Sequence, residues 1–361
     1  MALKCGIIGI QGSGKTTIFN ILSGTKVETA VFSDRANLGI IKVPDIRLYE
    51  LEKFQKTEKI VHATVNLVDI PGLARGTSGN ESARKFLNEI RNSDAFIHVV
   101  RCYENPMVPH PDGNIDPVRD VENIEIELQT RDIESVEKKI QRLDKLIKGG
   151  NKEAKQQIES LIKIKSELEN FIPIRNMQLS DVKKDSIADL FLLSAKPVLY
   201  VANVDNNSVV TGNLYSNALE KYLKEKNENC LIIGAQLEAE IAELENDDDR
   251  KMFLTDAGLS EPGLNRLVQM AYSMLKLKTF FTVGPKEIRA WTIKEGTTAQ
   301  QAAGVIHSDL ERGFIRAEVI KYNDFISLGS ETACKEKGKF YVEGKNYIVE
   351  DGDILHIRFN V

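Results

Sequence analysis

Gly9-Ile10-Gln11-Gly12-Ser13-Gly14-Lys15-Thr16 lies between the apolar stretch Cys5 to Ile8 and the helix-like run Thr17-Ile18-Phe19-Asn20-Ile21-Leu22. A strand that enters a glycine-rich turn and continues as a helix aims several backbone N–H groups and the positive end of the helix dipole at one point, where a triphosphate can sit. Gly9 and Gly14 supply the turn. In this pattern the loop from Gln11 through Gly12, Ser13 and Gly14 to Thr16 and Thr17 cradles the phosphates. Lys15 reaches the β- and γ-phosphates, and the Thr16 hydroxyl becomes a ligand of Mg²⁺.

Asn66-Leu67-Val68-Asp69-Ile70-Pro71-Gly72 adds the second signature of a P-loop switch, an acid at a strand end followed by a glycine. Asp69 is expected to hold Mg²⁺ through water, and the Gly72 amide to sense the γ-phosphate. The next residue is Leu73, where Ras-like GTPases carry a water-orienting glutamine. A leucine neither orients nor deprotonates water, so hydrolysis is expected to be slow or to recruit another group. Asn203-Val204-Asp205-Asn206 follows a strand, where the Asn-Lys-x-Asp base-reading motif of GTPases belongs, but the lysine is absent and the last position is Asn206. An asparagine matches adenine's donor and acceptor better than guanine's paired donors; an Asp205 turned to the base restores some guanine preference. Gly234-Ala235-Gln236 is the well-placed partner loop. Ser194-Ala195-Lys196 imitates it but precedes the base-reading strand.

Working outward, apolar strand-like runs alternate with helical stretches at Leu3 to Ile10, Thr64 to Ile70 and Ala95 to Cys102, and the pattern resumes at Pro197 to Ala202 and Cys230 to Ile233. This predicts an α/β fold with a parallel P-loop NTPase sheet. Between the two parts, Ile133, Val136, Ile140, Leu143 and Ile147 form one heptad seam, and Leu161, Ile164, Leu168 and Phe171 a second, with Gly149-Gly150 between them. The spacing predicts an inserted antiparallel helical hairpin. From Thr279, short strands near Glu287 to Ile293, Ala317 to Ile320, Phe325 to Leu328 and Ile354 to Phe359, with one helix from Thr298 to Arg312, predict a small α+β module of β-grasp type. The expected division is 1–120 with 190–278 as nucleotide domain, 121–189 as coiled-coil insertion and 279–361 as the last module.

The 361 residues carry a formal net charge of -5. That excludes a broad cationic field for gripping DNA and confines any RNA contact to a local surface. Lys276, Lys278, Lys286, Arg289, Lys294, Arg312 and Arg316 offer such a surface beside Trp291 and Phe314; the same residues also suit a mixed solvated face over buried aromatics. No apolar run approaches membrane-spanning length, and Met1-Ala2-Leu3-Lys4 enters a core strand without a signal-peptide pattern. Cys5, Cys102, Cys230 and Cys334 lack metal or redox spacing, so a cytoplasmic location is expected.

Val99-Val100-Arg101-Cys102-Tyr103-Glu104-Asn105, Glu261-Pro262-Gly263-Leu264-Asn265-Arg266, Lys286-Glu287-Ile288-Arg289-Ala290-Trp291-Thr292 and Tyr347-Ile348-Val349-Glu350-Asp351-Gly352-Asp353 resemble segments of the Obg-like ATPases of the YchF type. The resemblance spans the whole chain. It implies a nucleotide domain, an inserted coiled coil and a C-terminal TGS domain, ATP preferred over GTP, and association with ribosomes through the TGS module and hairpin. It also implies that His110, in the loop before the coiled coil, aids hydrolysis. The nucleotide site departs from the family pattern: Gln11-Gly12-Ser13 replaces Pro-Asn-Val, so the asparagine linked to potassium-assisted hydrolysis is missing at Gly12. Asn206 replaces a glutamate. The first switch lacks its threonine, leaving Ser33 as the candidate for contact with Mg²⁺ or γ-phosphate. The expected function is an ATP-driven hydrolysing switch; a non-catalytic nucleotide-binding regulatory or interaction module is the alternative.

Overall fold

The computed structural model describes residues 3–24, 37–70, 90–147 and 152–360. Ser33, Gly72, Leu73 and Gly149-Gly150 lie outside the described residues. In chain order the first strands are β1 (Lys4–Ile8), β2 (Asn37–Lys42), β3 (Ile60–Val61), β4 (Thr64–Asp69), β5 (Ala95–Arg101), β6 (Val198–Asn203) and β7 (Cys230–Ile233). They are followed by β8 (Leu277–Val283), β9 (Ile288–Lys294), β10 (Phe314–Lys321), β11 (Tyr341–Glu343) and β12 (Asp353–Phe359). Cα packing divides the chain into two compact units, 1–39 with 66–264 and 40–65 with 265–361. The chain leaves the first unit within β2 and returns within β4.

The first unit is built on the sheet β2-β4-β1-β5-β6-β7, in which β1 runs parallel to β4 and β5, and β6 runs parallel to β5 and β7. Its central strands are buried end to end, as the near-continuous apolar runs Ala95–Arg101 and Val198–Asn203 require when helices cover both sheet faces. Helix Pro117–Ile147 packs against helix Lys152–Glu169 through Val136, Leu161, Ile164 and Leu168, with Ile133, Ile140 and Leu143 partly buried beside them. This is the anticipated hairpin, its long arm roughly 45 Å at 1.5 Å per residue. Phe171 is not part of the seam. It sits past the helix end with φ 60° and is 66% exposed, because the chain reverses at Asn170 and turns the ring outward.

The second unit holds the mixed sheet β11-β10-β12-β8-β9-β3. β12 pairs parallel with β8, and β10 is antiparallel to β11 and β12. Helix Ala299–Ile306, started by a Thr298–Gln301 capping box, buries Ala299, Ala302 and Ala303 against Phe280, Ile293, Val319 and Leu355. The small alanines let the helix lie close to the sheet in a β-grasp arrangement. The predicted single helix breaks at His307, whose extended backbone and Nδ1 acceptor start a second helix at Ser308. Phe325 to Leu328 belongs to helix Tyr322–Leu328 and not to a strand: Gly329, at φ 78°, closes it with an N–H bond to the Phe325 carbonyl. Residues 40–65, placed with the nucleotide domain on sequence grounds, pack in this unit. Leu48 and Leu51 are fully buried, Arg47 pairs with Asp351 at 2.7 Å, and β3 pairs with β9.

Candidate nucleotide site

The turn after β1 exists because two of its glycines have no substitute. A Cβ on Gly9, at φ 146°, would lie 2.3 Å from the Val99 carbonyl oxygen; one on Gly14, at φ 98°, would lie 2.3 Å from Asn203 Nδ2. Gly14 is the residue before helix Lys15–Ser23, so the first N–H groups of that helix open onto the loop. Ser13 is fully buried, and among the described residues its Oγ has no hydrogen-bond partner. Gln11 is exposed, and Gly12 and Thr17 are half-buried.

Lys15 Nζ donates to the carbonyl oxygens of Gly9 at 2.9 Å and Ile10 at 2.6 Å. Burial pushes its pKa down to about 8, against the pull of the Asp69 charge. An ammonium ion desolvated and held by neutral carbonyls is a site that favours an anion. Thr16 Oγ1 donates to Asp69 Oδ2 at 3.1 Å, while the buried Asp69 Oδ1 has no hydrogen-bond partner assigned to it among the described residues. Burial raises the Asp69 pKa, with the Lys15 charge and hydrogen bonds from Thr16 and Asn37 opposing. A hydroxyl beside a carboxylate that has an unused oxygen is a donor set suited to a hard cation such as Mg²⁺.

Asn203 joins the halves of the site. Its Nδ2 donates to the Ser13 carbonyl at 2.8 Å, and its Oδ1 accepts from the Ala235 N–H at 2.9 Å, tying the phosphate loop to Gly234-Ala235-Gln236. Val204 is a core residue, 2% exposed, with its N–H on the Ile233 carbonyl. Asp205 is held by its own loop: Oδ1 accepts from the Asn207 N–H at 3.1 Å, and Oδ2 from Ser208 Oγ at 2.9 Å and Asn213 Nδ2 at 3.3 Å. Asn206 Nδ2 turns to Glu240, 3.3 Å from Oε2, and its Oδ1 is buried without a partner. Gln236 Nε2 reaches the same Glu240 at 3.0 Å. A carboxylate there fixes the Asn206 amide orientation, since only the NH₂ end can face it.

His110 is buried, with both ring nitrogens engaged. Nε2 meets Asp120 Oδ2 at 3.0 Å, and Nδ1 accepts from the Asp112 N–H at 3.1 Å. In this arrangement neither nitrogen is available to a water. Lys196 Nζ binds the carbonyl oxygens of Ile90, Arg91 and Ser93, so the Ser194-Ala195-Lys196 stretch has a structural use.

Several contributors are not apparent from motif spacing. Tyr103 OH donates to the Gly12 carbonyl at 3.0 Å, and Arg101, 2% exposed, stacks on the Tyr103 ring and donates from Nε to the Tyr103 carbonyl. Together they brace the phosphate loop from β5. Glu240 lies on helix Ala235–Glu243. The signal for Arg101 is an arginine closing a strand whose other residues are apolar except His98; Glu240 offers none.

A family model described as "50S ribosome-binding GTPase" matches residues 4–147, and the YchF-type C-terminal model, described as "Protein of unknown function (DUF933)", matches residues 277–360. The chain is 44% identical to the Haemophilus influenzae protein named "Ribosome-binding ATPase YchF", with 100% of both chains covered. It is 41% identical to the protein of that name from Bacillus subtilis, again over 100% of both. The solved structure titled "Structure of the Schizosaccharomyces pombe YchF GTPase" matches with a TM-score of 0.86 at 30% identity, covering 99% of this chain and 97% of that one.

Proposed function

The chain belongs to the YchF family, and on that premise we propose that it is a slow, Mg²⁺-dependent P-loop nucleoside triphosphatase that favours ATP over GTP and works in association with the ribosome. The observation that carries this reading is Lys15: a buried ammonium whose hydrogen bonds among the described residues go to two neutral carbonyls, in a glycine loop whose next residue bonds to Asp69. In this reading Lys15 and the N–H groups from Gln11 to Thr17 bind the β- and γ-phosphates. Thr16 and Asp69 hold Mg²⁺ with Ser33, and Gly72 senses the γ-phosphate. When bound, the cation neutralises charge developing on the transferred phosphoryl oxygens.

Preference for ATP rests on the far end of the site. Guanine reading needs a carboxylate that accepts two hydrogen bonds, and both oxygens of Asp205 serve its own loop. Asn206 is left with an unpartnered acceptor, the group that adenine's exocyclic amine needs.

Slow turnover follows from Leu73 and from His110, whose ring must leave Asp120 or Asp112 before it can contact a water. The hairpin and the C-terminal module are the surfaces we assign to the ribosome.

Steady-state phosphate release from Mg-ATP tests the reading. Multiple turnovers in the wild type, abolished in Lys15→Ala, are expected; no turnover in a wild type that still binds ATP would replace the enzyme with a nucleotide-occupied regulatory module.

A further inference from the structure

Within the first unit, a cavity of about 280 Å³ lies at the base of the hairpin, and none of its lining residues belongs to the phosphate loop or the base-reading segment. Its walls are the early turns of helix Pro117–Ile147, the chain leaving the hairpin at 171–176, Tyr200 on β6, and the end of helix Leu214–Glu225. At its centre Arg175 Nη2 lies 2.7 Å from Glu125 Oε1 and 3.1 Å from Tyr200 OH, which itself donates to Glu125 Oε1 at 3.1 Å. Arg175 Nε lies 3.5 Å from Glu228 Oε1.

The two hydrogen bonds that Glu125 accepts here both fall on Oε1. Among the described residues its buried Oε2 has no hydrogen-bond partner, and neither has Gln129 Oε1 one turn along the same helix face. Glu125 is only 8% exposed and Gln129 3%, and buried acceptors in folded proteins are ordinarily satisfied. Arg175 Nε and Nη1 also lack a hydrogen bond among the described residues, but the guanidinium charge already lies between the Glu125 and Glu228 carboxylates, whereas Glu125 Oε2 and Gln129 Oε1 can each take a further donor. The charge balance agrees: Glu122, Glu125 and Glu228 outnumber Arg175 and Lys226 in the lining. Tyr200, Tyr222 and Phe171 add aromatic surface, which attracts cations through its electron-rich faces. The volume is just under the range of about 300–1,000 Å³ typical of drug-sized ligands, so the occupant is small.

We propose that this cavity is a binding site for a small organic ammonium, an alkyl mono- or diamine whose N–H groups donate to Glu125 and Gln129 while its carbon chain packs on Tyr222. The site is separate from the nucleotide site and stands whether or not the chain hydrolyses ATP.

Putrescine is the probe, titrated calorimetrically into the full chain without nucleotide, with butanediol as its neutral counterpart. Saturable one-to-one binding of putrescine but not butanediol is expected, weakened roughly two- to fivefold by Glu122→Gln at the exposed mouth. Glu125→Gln is expected to weaken it further, and Lys15→Ala to leave it intact. Thermal unfolding of each variant shows whether the fold is retained, and Glu122→Gln keeps the test open if the buried variant misfolds. Equal binding of butanediol, unsaturable binding, or putrescine affinity unchanged in a folded Glu122→Gln chain would overturn the proposal. Binding of N-acetyl-lysine amide without binding of putrescine would also overturn it, assigning the cavity to a protein side chain.

Discussion

Asn203 accounts for much of the order in the nucleotide site, because one amide satisfies a carbonyl of the phosphate loop and an N–H of the partner loop. Truncation leaves both groups buried and unpaired, at about 1–3 kcal/mol each. Asn203→Ala is therefore expected to lose about 2–6 kcal/mol in urea denaturation and to weaken nucleotide binding although the side chain touches no phosphate; unchanged affinity would show that the loop holds itself. His110→Ala is expected to lower turnover while leaving ATP affinity near wild type, and phosphate release at saturating ATP checks it. If turnover is unchanged, the histidine only ties its loop to Asp120. At this scale the phosphate loop was legible because its signal is local: a glycine pattern between a strand and a helix. The Asn203 clamp and the Asn206–Glu240 contact were not, since their partners stand 190, 32 and 34 residues away and only the folded sheet brings them together.

The hairpin was legible at the scale of elements, because heptad spacing reports which side of a helix is apolar. Phe171 was misassigned for the same reason: spacing continues past a helix end that only the backbone reveals. Leu161 is fully buried in the seam, and Leu161→Ala is expected to cost about 3 kcal/mol, read as faster amide hydrogen exchange confined to 117–169. In the C-terminal sheet, Arg358 on β12 bonds to Glu318 on β10 and holds its pKa below the ordinary 4.5, with burial opposing. A carboxyl with a depressed folded pKa stabilises above its unfolded pKa, and that stability is lost as pH falls through the folded value. Acid denaturation of wild type and Glu318→Gln should therefore converge below pH 4.5 and separate above it, with the wild type more stable. Parallel curves would assign no role to the pair. Phe325 to Leu328 was misread as a strand because Phe-Ile-Ser-Leu is β-prone in isolation, whereas Gly329 and the burial of Phe325 settle it as helix.

For the molecule as a whole, the order of strands and helices along the chain was enough to anticipate a parallel nucleotide-binding sheet, an inserted hairpin and a small mixed-sheet module. The segment 40–65 escaped that reading because its pairing partners, Ile288 and Asp351, come more than two hundred residues later. With a formal net charge of -5, ribosome association has to be local, so co-sedimentation with ribosomes is expected to weaken only gently with added salt. A steep loss would point to a broad basic surface that the composition does not supply. The central claim is that this site reads Mg-ATP. Equilibrium binding of non-hydrolysable ATP and GTP analogues with Mg²⁺, to wild type and Lys15→Ala, tests it most directly. The account predicts tighter binding of the ATP analogue and loss of both in the variant; preference for the GTP analogue, or binding that survives Lys15→Ala, would contradict it.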